Sequence, residues 1–340
     1  MTKNVLLTGG FGTLGGRLAA ILAQDSEINL RLASRIKRSA PHWAPRAETY
    51  AVDFENHKSI QEMLNGVTHV VHLVAMTDFE SRAEPEKAQR VNTEYTHRVI
   101  EQCSKGTRFV YLSTIQVYGA DLSGTITETT PTNPADAYSQ THLDSENLVE
   151  SAHKQGQIEG ISLRNANGFG TPMSVDAKIW QIIANDLCRQ AVEKKQLTLK
   201  SHGQQYRNFI PFTDVCSAIK HCVFMSSDNI GNTTFNLGSD HTMKVLDLAR
   251  LIASRCSTTI GYTPEIQTMT NPPERLPAKF NYDSSKLRLT GLALNTRLEH
   301  EIDGLLRACQ GCSSNRHERE AFCLCCNSYV QSCPTFEAGT

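Results

Sequence analysis

The sequence predicts an α/β protein organised on a doubly wound parallel sheet. One observation is the apolar run Val5-Leu6-Leu7-Thr8, short enough for a buried strand, which passes into glycines spaced G-x-x-G-x-x-G at Gly9, Gly12 and Gly15 and then into a helical segment from Arg17 to Leu22. Another is the alternation of strand and helical patterns that follows, which argues for parallel strands with helices on both faces. The chain has 340 residues, enough for one large domain or two intimately joined ones. Hydrophobic residues at 39%, charged residues at 20% and a formal net charge of -1 describe an ordinary globular chain, with no basic block to suggest nucleic acid or an anionic membrane as partner.

The strand, turn and helix at the N-terminus have the make-up of a dinucleotide-phosphate site. Gly9, Gly12, Thr13, Leu14 and Gly15 would form the cradle, with glycines allowing close backbone approach and the helix start offering N–H groups and partial positive charge. An ordinary glycine-rich turn is the bland alternative. Ile28 to Ala33 reads as the second strand and ends in Ser34-Arg35-Ile36-Lys37-Arg38, with no Asp or Glu at its tip. A carboxylate there suits an adenosine ribose, whereas a small polar residue followed by Arg suits a 2′-phosphate. Ser34, Arg35 and Arg38 therefore favour NADP, with NAD also possible; a solvated basic turn is the other reading.

Tyr50 to Phe54 reads as the third strand, with Asp53 placed for the adenine amino group and Phe54 to cover the ring. A helix over Ser59 to Leu64 precedes the buried strand Thr68 to Ala75, which puts Ala75 at the sheet's carboxyl edge, where such folds bind ligands. Glu84 to Cys103 is one long helical pattern, and its Asn92 either faces the cofactor strand, as part of the cofactor site, or is simply exposed. The strand from Phe109 ends in the hydroxyl residues Ser113 and Thr114. Downstream, Tyr138 and His142 stand four apart on one helix and share a face. A phenol is a poor base at neutral pH unless a nearby cation lowers its pKa.

With these residues in view the chain resembles the extended short-chain dehydrogenase/reductase family, in particular its nucleotide-sugar epimerases, dehydratases and ketoreductases. The TGxxGxxG turn appears as Thr8 to Gly15, Thr-x-x-Val-Tyr-Gly as Thr114 to Gly119, Leu-Arg-x-x-Asn as Leu163 to Asn167, and Arg-x-Phe-Ile-x-x-x-Asp-Val as Arg207 to Val215. The resemblance spans residues 3 to 307. It implies a Rossmann-like NAD(P)-binding domain over 1–167, completed by 207–237, and a smaller C-terminal substrate-binding domain from 168–206 and 238–307. It also implies Tyr138 as acid/base, Thr114 as its hydroxyl partner, and Asn167 and Arg207 as ligands of a nucleotide-diphosphate sugar. A guanidinium fork suits a diphosphate on physical grounds as well; for Arg207 the alternative is an ion pair with a carboxylate such as Asp214. A homodimer through the helices around 84–103 and 139–153 is implied by the same resemblance.

Three departures narrow the expectation. His142 stands where the family has lysine, so a fixed positive charge beside the tyrosine is replaced by a shorter group charged only below its own pKa. Ile115 and Gln116 occupy positions where the family's 4,6-dehydratases carry an acidic pair, which disfavours dehydration and leaves keto-reduction or epimerisation at a sugar carbon. Arg275 is the one arginine available as a second diphosphate anchor, and it is shifted from the usual place. A reductase of a small non-nucleotide carbonyl and a weakly active NAD(P)-sensing protein are the rival readings.

Of 11 cysteines, five lie singly in the body, as in a reducing compartment, and six crowd into the last 32 residues. Cys309/Cys312 and Cys323/Cys326 form two C-x-x-C pairs, with His317, Cys325 and Cys333 as spare ligands. Four thiolates can hold zinc. The expectation adopted is no metal and a disordered tail over 308–340, because apolar periodicity fades there. No apolar run approaches the roughly 20 residues of a membrane helix, and the expected location is the cytoplasm.

Overall fold

The computed structural model describes residues 3–173, 179–231, 233–269, 276–294 and 296–312. Arg275, His317 and the cysteines from Cys323 onward fall outside them. β1 (Lys3–Thr8) leads through the glycine turn into α1 (Thr13–Leu22), followed by β2 (Ile28–Ser34), β3 (Glu48–Ala51), α2 (His57–Leu64) and β4 (His69–His72). Two short helices, α3 (Asp78–Ala83) and α4 (Pro85–Ala88), precede a π-helical turn over Gln89–Glu94 and α5 (Tyr95–Gln102). β5 (Thr107–Thr114) runs into a 3₁₀ turn at Ile115–Tyr118, and then come β6 (Gly124–Ile126), α6 (Ala137–Lys154) and β7 (Ile158–Asn165). The second half comprises β8 (Asn167–Phe169), α7 (Ile183–Lys194), β9 (Gln196–Thr198), β10 (Tyr206–Pro211), α8 (Phe212–Phe224) and β11 (Thr234–Leu237). β12 (Thr242–Lys244), α9 (Val245–Ile260), β13 (Glu265–Gln267), β14 (Phe280–Tyr282), α10 (Ser285–Arg288) and α11 (Leu298–Cys312) complete it.

Seven strands form one sheet in the order β11-β7-β5-β4-β1-β2-β3, and every pairing is parallel. The order reverses between β1 and β4, so a crevice opens above their carboxyl ends. One sheet face packs Leu7, Leu18, Leu22, Val71, Val110 and Ile219, and the other packs Leu6, Ile60, Met63, Val70, Phe109 and Val149. A separate core joins α7, α9 and α11 around Leu187, Leu248, Ile252, Ile302 and Leu305, and this is the smaller domain.

Several elements differ from expectation for local reasons. β3 ends at Ala51, because it is an edge strand paired to β2 alone, which leaves Asp53 and Phe54 on the loop before the Asn56 cap of α2. The long helix expected over 84–103 starts with Pro85 at its first position and runs to Gln102, but its middle, Gln89–Glu94, is wound as a π-helical segment that carries Asn92. β10 belongs to a three-stranded sheet with β8 and β12, so the return to the main sheet begins at α8 and is completed by β11, later than residue 207. α11 runs past Arg307 to Cys312 because Ala308 and Cys309 are buried, which moves the end of the packed body beyond residue 308.

A buried ion pair ties the two cores together. Arg17 on α1 binds Glu301 on α11 through both guanidinium arms, and Thr213 donates to Glu301 at 2.8 Å while accepting from Arg17 at 2.6 Å. Both partners are out of water, so removing one leaves the other charge uncompensated. Glu301→Ala is expected to cost about 3–5 kcal/mol in urea unfolding, and Arg17→Met with Glu301→Leu together much less than that.

Candidate active site

The glycine turn has the geometry of a phosphate cradle. Gly9 sits at φ 74°, in the left-handed region, and the Gly12 N–H closes onto its carbonyl at 2.8 Å. A side chain at Gly15 would overlap that same Gly9 carbonyl. No side chain caps α1, whose N-cap is Gly12. The turn opens into a cleft of about 1290 Å³ lined from both domains: Gly9 to Gly15 apart from Gly10, the tips of β2, β4 and β5, the start of α6, and Asn167, Ile183 and Arg207 across from them.

The expected cofactor residues divide. Gly9, Gly12, Thr13, Leu14, Gly15, Ser34, Arg35, Phe54 and Ala75 line the cleft. Ser34 spends its hydroxyl on the Ile36 carbonyl at 2.5 Å, Arg38 lies over the Phe11 ring at 5.2 Å, and Arg35 is exposed. Asp53 stands outside the lining, with its carboxylate accepting from the Glu55 N–H at 2.9 Å, whereas Phe54 is buried and stacks on Tyr95. Asn92 is buried and faces the loop that follows β4, where its Oδ1 accepts from the Met76 N–H at 2.7 Å while its Nδ2 donates to Thr141 at 2.9 Å; it stands behind the cleft wall and does not line the cleft. The π turn aims it inward, where it staples the loop after β4 to α6.

Thr114, Tyr138 and His142 meet in the cleft as expected. An Asp136–Ser139 capping box starts α6 one residue before Ala137 and fixes the turn that carries Tyr138. The Tyr138 ring meets the His142 ring edge-on, with centroids 4.5 Å apart. Burial pushes the Tyr138 phenol up to about 12, the Asp78 charge adds to that, and the Thr114 hydroxyl beside it works in the opposite sense. Burial also lowers His142 to about 4, so the ring is neutral through the physiological range. The activating cation expected beside the tyrosine is therefore not supplied by this residue.

Four residues of the site carry no motif that singles them out in the sequence. Tyr111 on β5 is buried and hydrogen-bonds His142 Nδ1 at 2.8 Å. His72, at the tip of β4, binds Thr8 at 2.9 Å through Nδ1 and is held neutral by burial at about 3. Asp78 enters the cleft from the start of α3, gripped by Arg82 at 2.6 Å, and Asn165 leaves its Oδ1 without a partner in the protein. A histidine or asparagine at the carboxyl end of a buried strand is the one signal that could have flagged His72 and Asn165.

Across the cleft, Asn167 donates to the Asn208 carbonyl at 3.0 Å and Arg207 projects exposed from β10. Asp214 accepts from Thr296 at 2.6 Å, and the carboxylate whose charge acts on the Arg207 guanidinium is Asp78, across the cleft. Arg275 lies outside the described residues. Among the described residues, no helix is long and apolar enough to cross a membrane.

The model of the NAD dependent epimerase/dehydratase family matches residues 5–238, and the chain belongs to that family. Among curated relatives, D-erythronate dehydrogenase of Haemophilus influenzae is 28% identical over 167 residues, 47% of this chain and 53% of that protein. The dTDP-D-glucose 4,6-dehydratase of Dictyostelium discoideum is 27% identical over 280 residues, 74% of this chain. The chain thus spans 53% and 61% of the length of these two relatives. Among solved structures, UDP-glucuronic acid 4-epimerase from Bacillus cereus in complex with UDP-glucuronic acid and NAD superposes with TM-score 0.74 at 20% identity, covering 90% of this chain and 99% of that one. UDP-glucose 4-epimerase of Thermus thermophilus in complex with NAD gives TM-score 0.74 at 19% identity, over 91% of this chain and 99% of that one. These likenesses show the fold.

The lowered His142 pKa has a consequence for stability. Between pH 6.5 and about 4 the unfolded chain binds a proton that the folded one refuses, so this residue's contribution is complete above pH 6.5 and declines as pH falls toward 4. His72 and His69 act in the same direction. Urea unfolding at a series of pH values is expected to show a shallower acid-side loss for His142→Gln than for the parent protein.

Proposed function

We propose that this chain is an NAD(P)-dependent oxidoreductase or epimerase of a nucleotide-diphosphate sugar, acting by keto-reduction or epimerisation at a sugar carbon and not by 4,6-dehydration. The observation that carries the reading is the one continuous cleft, which has the glycine cradle and the Thr114-Tyr138-His142 group toward one end and Asn167 and Arg207 facing them. The residues fit a dinucleotide: the glycine turn lets α1 start against the backbone of Gly9 and Gly10, where a methyl at Gly15 would collide, and His142 Nε2 is buried in the cleft wall with no partner in the protein. When bound, the nicotinamide ring gives or takes the hydride.

The protein's own part is to hold the sugar and move a proton. Arg207 offers a fork of N–H donors to the diphosphate, with Asn167 beside it. Thr114 holds the oxygen of the reacting carbon, and Tyr138 exchanges the proton at that oxygen. With its pKa pushed up to about 12, the Tyr138 phenol is protonated at neutral pH and holds its proton more tightly than a free phenol, so in this environment it stands as a donor and not as a base, the protonation state that the reductive direction needs. Ile115 is buried and Gln116 lines the cleft; neither side chain can exchange the protons that water elimination requires. Arg35, exposed at the β2 tip with no carboxylate there, supports NADP over NAD through its 2′-phosphate.

Thermal-shift titration with NAD, NADP and a panel of nucleoside diphosphates, followed by turnover of the sugars that stabilise the protein, tests the reading. Stabilisation by a dinucleotide with no response to any nucleoside diphosphate would sink the sugar assignment. Tyr138→Phe is expected to lower kcat by about 100-fold or more with little change in dinucleotide affinity. Arg207→Ala is expected to raise KM about tenfold, the loss of a charge-assisted hydrogen bond. His142→Lys, which restores a cation beside the phenol, is expected to raise kcat and move the pH optimum down; an unchanged pH profile would remove His142 from this account.

A further inference from the structure

We propose that Tyr111 is a positioning residue that selects the tautomer of His142, so that His142 presents Nε2–H as a hydrogen-bond donor to an oxygen of the ligand in the cleft. The inference rests on the reading above in one respect, that the ligand oxygen is a ribose hydroxyl of the dinucleotide.

The His142 ring is enclosed by two tyrosines, with Tyr138 edge-on at 4.5 Å on the cleft side and Tyr111 tilted at 5.8 Å on the sheet side. Its Nδ1 is 2.8 Å from the Tyr111 hydroxyl. Its Nε2 is buried and has no partner in the protein, although His142 lines the cleft. A neutral imidazole has one N–H and one lone pair, so the group bound at Nδ1 decides what Nε2 can do. The Tyr111 proton has two acceptors within reach, His142 Nδ1 and the hydroxyl of Ser145, which itself donates toward the carbonyls of Asn92 and Thr141 at 3.0 and 2.9 Å. An imidazole nitrogen is much the stronger base of the two, so the phenol donates to Nδ1. The ring proton is thereby placed on Nε2, and a buried N–H with no protein acceptor is directed at whatever fills the cleft.

Tyr111 thus supplies part of what a lysine at position 142 would have supplied. It gives a single N–H in a fixed direction, without a charge and without the rotamer freedom of a long side chain. The ring cannot turn over without breaking the Tyr111 bond, which makes direction as well as tautomer a property of β5.

Long-range 1H–15N NMR of protein labelled with 15N-histidine, with His142 assigned by its disappearance in His142→Gln, reads the tautomer directly in the ligand-free protein. The expected spectrum at pH 7 is pure Nε2–H in the parent protein and a shift of both ring nitrogens toward a mixture in Tyr111→Phe. Calorimetric titration with NAD, and in parallel with NADP, is expected to show a loss of roughly 3- to 10-fold in affinity for Tyr111→Phe. In a His142→Gln background, where an amide donor replaces the ring and no tautomer remains to be chosen, Tyr111→Phe is expected to change affinity by less than about twofold. An Nδ1–H tautomer in the parent, a spectrum unmoved by Tyr111→Phe, or an equal loss in both backgrounds would overturn the proposal. Failure of both dinucleotides to bind the parent protein would defeat the reading of the cleft instead, and the NMR result would still decide the role of Tyr111.

Discussion

The whole site hangs from the approach of α1 to β1 at Gly9 and Gly15. Because no Cβ stands between Gly15 and the Gly9 carbonyl, the helix starts directly above the end of the strand, with its first N–H groups turned toward the crevice. The sheet order reverses at the neighbouring β4, so the crevice has room beside it, and the tips of β4 and β5 bring His72 and Thr114 to its floor. A methyl at Gly15 would collide with the backbone of Gly9 and Gly10 and force helix and strand apart.

From this constraint the chemistry follows by burial. Tyr138, His142, Tyr111 and His72 sit where water is scarce, and each is held in its neutral form. The charges nearby are kept paired. Glu146, one turn beyond His142 on α6, accepts from Ser113 at 2.5 Å and from Arg164 at 2.7 Å, and Arg164 donates to Tyr118 at 2.8 Å. This satisfied network anchors α6 to β5 and β7 without placing a free charge beside Tyr138. The one charge that bears strongly on the Tyr138 phenol is the Asp78 carboxylate, which acts with burial to keep the phenol protonated.

The second domain is held to the first by contacts that the reaction does not need but the cleft does. The Arg17–Glu301 pair fastens α11 under α1, and the β8–β10 pairing, with Phe209 opposite Asn167, carries Arg207 across from the glycine turn. Asn92 does the same work on the other wall by tying the loop that bears Ala75 and Met76 to α6. The separation between the glycine turn and Arg207 is therefore set by buried contacts and strand pairing rather than by the loops that line the cleft.

The sequence by itself determined the parallel sheet, the glycine turn and the shared helix face of Tyr138 and His142, because each follows from local rules: apolar runs make buried strands, glycine spacing marks a turn, and residues four apart share a helix face. Asn167 and Arg207 were singled out by the family's short motifs, and the fold puts both in the wall of the same cleft. Only the tertiary structure decided what surrounds them. That Asn92 points inward depends on a π turn between two helices, and that Arg207 is free of Asp214 depends on Thr296 arriving from 82 residues away in the chain. The neutrality of His142 and its bond to Tyr111 depend on packing between β5 and α6, whose partners are 31 positions apart. Burial and long-range hydrogen bonds are properties of the folded packing, and no local pattern of residues encodes them.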